Sequence, residues 1–102
     1  MMPETNQQGF LLNASDWNEG IAEQLAELNH IHLTPSHWEI IDFIREYYQQ
    51  FKHLPNMRVF TKAVAKHLGD DKGNSRYLHS LFDSPLRDAC KLAGLPKPPT
   101  CL

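Results

Sequence analysis

Two thiols dominate the chemistry open to this sequence. Cys90 and Cys101 are its only cysteines, ten residues lie between them, and Cys101 is the second-last residue. A thiol attacks as its thiolate, so accessibility and pKa decide which of the two reacts. Cys101 ends the stretch Leu95-Pro96-Lys97-Pro98-Pro99-Thr100, whose three prolines fix φ and remove backbone donors. That pattern predicts an extended arm able to deliver a thiol into another protein. The plain alternative is a frayed terminus with an incidental cysteine. The Leu102 carboxylate disfavours a second anion beside it, and Lys97 is the nearby cation on the arm. Cys101 is therefore expected to be sluggish in free solution and activated in a partner's basic pocket.

Cys90 has two readings. It falls with Leu86, Ala89 and Ala93 at helical spacing, which makes it a packing residue. It could also pair with Cys101 in a disulfide. The intervening ten residues reach at most about 36 Å when extended and can fold back to disulfide distance. Closing that ring costs roughly 3 kcal/mol of loop entropy, and Gly94 is a suitable hinge. Two cysteines without paired ligands do not make a tetrahedral zinc site. His30 and His32 read as exposed loop histidines, and the sequence calls for no cofactor. Lys62, Lys66, Lys72, Arg76 and Lys91 are candidates for a basic surface under the arm, against the alternative of an ordinary solvated face.

The elements that must position these residues are helical. The chain has 102 residues, 41% hydrophobic, which suits a single domain. We expect a mainly α bundle of about five helices over residues 1–94 and an arm over 95–102. A first helix should run from Ser15 or Asp16 to about Asn29, with Trp17, Ile21, Leu25 and Leu28 on its apolar face. Thr34-Pro35 opens a second helix, the longest, with the stripe Trp38, Ile41, Ile44, Tyr48 and Phe51. A third carries Met57, Phe60, Val64 and Leu68. A turn over Lys72–Ser75 leads to a fourth, so that the pair resembles a helix-turn-helix. Ser84-Pro85 starts the last. Gly9–Asn13 allows a short N-terminal β-hairpin. The net charge of −2 argues against nucleic-acid binding. No apolar run reaches the ~20 residues of a membrane span, and the polar start lacks a signal-peptide core. These features predict a cytoplasmic protein, acting as a monomer.

The Cys-x10-Cys ending, with Ala93-Gly94-Leu95-Pro96-Lys97-Pro98 inside it, resembles the sulfur-carrier proteins called DsrC, TusE or DsvC. Leu33–Glu39, Arg45–Tyr48 and Lys72–Leu78 are similar to that family's signature segments, in the same order. The resemblance implies a carrier that accepts persulfide sulfur on Cys101 and yields it to an acceptor, with donor and acceptor proteins as partners. Those would be sulfite reductase subunits in the DsrC type, where Cys90 matches the second, resolving cysteine. They would be Tus-type proteins of tRNA wobble 2-thiouridine synthesis in the TusE type, which keeps only the terminal thiol. A redox-sensing helix-turn-helix regulator and a structural subunit with inert cysteines are the competing readings.

Overall fold

Asparagine and proline punctuation sets where the helices begin. The computed structural model describes residues 3–98 and contains five α-helices: α1 Glu19–Leu28, α2 Pro35–Phe51, α3 Met57–Leu68, α4 Ser75–Leu81 and α5 Pro85–Leu92. Three helices start behind an asparagine whose side-chain oxygen accepts a first-turn N–H: Asn18 from Ile21, Asn56 from Val59 and Asn74 from Tyr77. The other two start on proline, Pro35 after Thr34 and Pro85 after Ser84. There the missing N–H had no intrahelical partner to lose.

Two expectations at the N-terminal end need correction. The first helix does not begin at Ser15 or Asp16. Ala14–Asp16 forms a separate 3-10 turn capped by Asn13, and α1 starts only at Glu19. Asn18 is the stronger cap, and Trp17 is drawn away to α5. The expected hairpin is reduced to one antiparallel bridge, Thr5 with Leu11. The Asn6 side chain accepts from both Gln8 N and Phe10 N, which closes a tight loop instead of extending two strands. Its main contribution is Phe10, which is fully buried.

The hub of the core is α5, although α2 is the longer helix. Six of the eight α5 residues are buried, against four of seventeen in α2, and α5 packs on α1, α2 and α4. Its Leu86, Ala89, Cys90 and Leu92 share one buried core with Ile40, Ile41 and Ile44 of α2, Phe60 and Val64 of α3, and Leu78 and Phe82. The predicted stripe on α2 is right at Ile41 and Ile44. It misses Ile40, and Phe51 is exposed. Trp38, Tyr47 and Tyr48 are partly buried against the core, as aromatic residues at core spacing should be.

His37 closes the bundle across α2 and α4. Thr34 N donates to His37 Nδ1 at 3.2 Å, and His37 Nε2 lies 2.8 Å from Leu81 O. A backbone N–H only donates and a carbonyl only accepts, so the ring proton sits on Nε2. Phe82 packs edge-on to the ring at 5.1 Å.

The α3–α4 pair is the helix-turn-helix-like element foreseen in the sequence. Its turn passes so close to α3 that a Cβ on Gly73 would overlap the backbone of Ala65. Backbone cannot yield as a side chain tip does. Gly73→Ala is therefore expected to destabilise the fold by about 2–3 kcal/mol, read as a fall in thermal midpoint of several degrees. An unchanged midpoint would show that α4 shifts away freely.

Candidate functional site at the end of α5

The helix that carries Cys90 ends in a fully satisfied terminus. A helix leaves its last carbonyls without intrahelical donors, yet each carbonyl from Ala89 to Ala93 is paired. Ala93 N donates to Ala89 O, Leu95 N to Cys90 O at 3.0 Å and Gly94 N to Lys91 O at 3.2 Å. The last two bonds make a Schellman motif, which needs a left-handed residue at Gly94; its φ is 71°. Trp17 Nε1 then donates to Leu92 O at 2.7 Å and Arg45 Nη1 to Ala93 O at 2.8 Å. The Arg45 guanidinium carbon lies 3.8 Å from the Trp17 ring centroid, a cation–π stack that holds both donors.

Glycine is required here twice over. A Cβ at Gly94 would stand 2.5 Å from Trp17 Cδ1 and 2.7 Å from its Cβ. Only a bare backbone lets the indole lie against the helix end. A cation beside C-terminal carbonyls is also favoured by the helix dipole. Partial burial pulls the Arg45 pKa below its usual value while Asp42 opposes that; the group remains a cation.

Beyond Gly94 the chain has no regular secondary structure through Pro98. Leu95 and Pro98 are buried, while Pro96 and Lys97 are exposed. The root of the arm is thus laid on the bundle, with Lys97 pointing to solvent. Cys101 lies outside the described residues.

Cys90 is a free thiol with 0% exposure. Burial pushes its pKa from the ordinary 9.0 up to about 12, since an apolar surround disfavours the thiolate. In this conformation it is a small hydrophobe. To react it must be exposed, and the Trp17 and Arg45 bonds hold the same turn in place.

The predicted basic set is dispersed. Lys62 and Lys66 of α3 and Arg76 of α4 are exposed. Lys72 binds Glu39 of α2 through both carboxylate oxygens, at 2.8 and 3.0 Å, and that hydrogen bond raises its pKa. Lys91 is buried and points towards Asn29. Trp17 and Arg45 were missed as site-building residues, because they lie 75 and 48 positions from the carbonyls they serve and no local pattern links them. Among the described residues no group of three or more His, Cys, Asp or Glu is placed to hold a metal ion. No helix there is long and apolar enough to cross a membrane.

The described residues form a small helical bundle whose last helix is closed by Trp17 and Arg45. Comparison with known proteins gives the family. The profile described as DsrC like protein matches residues 2–102. A sulfurtransferase TusE homolog of Haemophilus influenzae is 51% identical over 100 residues, covering 97% of this chain and 92% of that protein. The solution structure of Allochromatium vinosum DsrC superposes with a TM-score of 0.86 at 49% identity, covering 94% of this chain and 87% of that one. The oxidised gamma subunit of dissimilatory sulfite reductase (DsrC) from Archaeoglobus fulgidus gives 0.83 at 36% identity, covering 98% and 92%. The chain belongs to the DsrC family.

Three outcomes follow from the geometry. In a Cys101→Ser background, iodoacetamide should leave native Cys90 unmodified at pH 8, about the ordinary thiol range, and label it rapidly in denaturant; mass spectrometry reads the difference. Stability should also decline as pH rises from 9.0 towards about 12. The unfolded chain ionises this thiol there while the folded chain keeps it protonated, so the unfolded state is favoured. Cys90→Ala should remove that component of the alkaline loss. Trp17→Phe keeps the ring but strands Leu92 O, and should cost about 1–2 kcal/mol in denaturant unfolding. An unaltered midpoint would mean that water replaces the indole donor.

Proposed function

We propose that this protein is a sulfur carrier that works through Cys101. The Cys101 thiolate attacks the outer sulfur of a donor persulfide. A new S–S bond forms, the donor's S–S bond breaks, and the donor leaves as a thiolate. Cys101 then holds the sulfur as R–S–SH until an acceptor nucleophile takes it and Cys101 departs as thiolate. The transfer needs no cofactor and no net oxidant. The single observation that carries this reading is membership in the DsrC family over residues 2–102, with Cys101 seven positions beyond Gly94.

The partners are donor and acceptor proteins, and the carrier acts as a cytoplasmic monomer. In the first reading they are sulfite reductase subunits, and the Cys90 thiolate attacks the Cys101 sulfur of the loaded persulfide, forming a Cys90–Cys101 disulfide and releasing hydrosulfide, after which an external dithiol reductant restores both thiols. The presence of a second thiol at the matching position supports it. In that cycle the last turn of α5 must open to expose Cys90, at the cost of the two side-chain bonds that close it. The second reading is a single-thiol relay of the TusE kind, supplying tRNA wobble thiolation. Two observations favour it: the similar sulfurtransferases bear that name, and Cys90 is buried as a protonated thiol.

The test is intact mass after incubation with a persulfide donor. The parent should gain one sulfur atom. Cys101→Ser should gain none while keeping its melting temperature, since chain termini seldom contribute to a packed core. Sulfur on Cys101→Ser would overturn the proposal. Cys90→Ala separates the two readings: retained loading with lost self-release supports the two-thiol cycle, and unchanged release supports the single-thiol relay.

A further inference from the structure

Among the described residues only His37 and Lys91 are buried polar or charged side chains, each 7% exposed. Both nitrogens of His37 are accounted for within the bundle. Lys91 is different. Its ammonium donates one hydrogen bond, to Asn29 Oδ1 at 3.2 Å, and lies 5.4 Å from the centroid of Phe10. An ammonium has three donors, and among the described residues no carboxylate lies within ion-pair distance of it; the ion pair there is Lys72 with Glu39. Burying a cation without a counter-charge is costly. A single amide oxygen and a ring face compensate only in part.

The ammonium also faces a cavity. Lys91, Asn29, Thr5, Gln7, Gln8 and Gly9 contribute to the walls of a space of about 310 Å³, with Pro3, Leu25 and Leu28 completing it. Among the described residues, each polar side chain in those walls can donate a hydrogen bond, and none is acidic. This stands out in a chain with an excess of Asp and Glu over Lys and Arg. Gly9 turns the N-terminal loop over the lysine with a φ of +88°, a conformation that favours glycine; its Cβ position lies at ordinary contact distance, 3.7 Å, from Lys91 Cδ, Cε and Nζ.

We propose that this cavity is a binding site for a small inorganic oxyanion of the sulfate type, with Lys91 as its cationic partner. The anion supplies the missing counter-charge, and the hydroxyl of Thr5 and the amides of Gln7 and Gln8 offer neutral donors around it; the Asn29 amide nitrogen donates to Leu25 O, and its oxygen holds the ammonium. The site lies between α1, α5 and the N-terminal loop. It is independent of the sulfur-carrier reading, because no step of it uses either cysteine. The competing account is that Lys91 only staples the loop to α5.

The experiment is titration of the full-length, ¹⁵N-labelled protein with sodium sulfate at constant ionic strength, held with chloride. Saturable shifts are expected at the backbone amides of Thr5 to Gly9 and of Asn29. Lys91→Met keeps the apolar stem and removes the charge; it should abolish them. Asn29→Asp places a carboxylate at the ammonium and should weaken sulfate at least about tenfold by occupying the cation. That variant decides the matter if Lys91→Met does not fold. Shifts that never saturate, or that persist unchanged in Asn29→Asp, would overturn the proposal and leave the staple.

Discussion

The structure depends on how its last helix is stopped. An eight-residue helix gains little stability by itself, and α5 holds its place because its C-terminal carbonyls are closed from outside. Trp17 comes from the connection before α1 and Arg45 from the middle of α2. They meet over Gly94 and join three distant parts of the chain at one helix end. Core burial positions α5 sideways, through Leu86, Ala89, Cys90 and Leu92. These two side chains position it along its axis, which determines where the arm leaves the bundle.

This arrangement places opposite demands on the two thiols. Cys90 belongs to the turn that the closure protects, and its burial is what makes the closure tight. The same burial removes it from thiolate chemistry in the resting fold. Cys101 follows the Schellman turn at Gly94 that ends the helix, seven positions further along the chain. A two-thiol cycle would spend part of the fold's own stability each time it exposes Cys90. A single-thiol relay would leave the bundle untouched. The same helix thus contains a chemical option and the packing that restrains it.

Charge is handled with similar economy. Lys72 is tied to Glu39 across α2 and the α3–α4 turn. Arg45 is used as a hydrogen-bond donor and a stacking plane more than as a surface charge. Lys91 is the exception, a cation folded under the N-terminal loop. Lys72 and Lys91 are thus engaged by Glu39 and Asn29, while Lys62, Lys66, Arg76 and Lys97 are exposed.

Much of this was legible in the sequence where the cause is local. Pro35 and Pro85 mark helix starts because proline lacks the donor a first turn does not use. Gly94 marks a helix end because a left-handed residue costs glycine little. Leu86, Ala89, Cys90 and Ala93 share a face because the helical period puts them there. The Cys-x10-Cys ending and its flanking segments pointed to the family. Contacts between residues far apart in sequence were not legible. Trp17 looked like a face residue of α1 and proved to be a cap for α5. The short α5, and not the long α2, became the hub, because small residues at Ala89 and Ala93 permit close approach from several sides at once. The degree of burial of Cys90 was likewise a tertiary result. Its apolar face could be read from spacing, but the sealing of that face required α1, α2 and α4 to arrive around it, and desolvation, which sets the thiol's reactivity, exists only once they have.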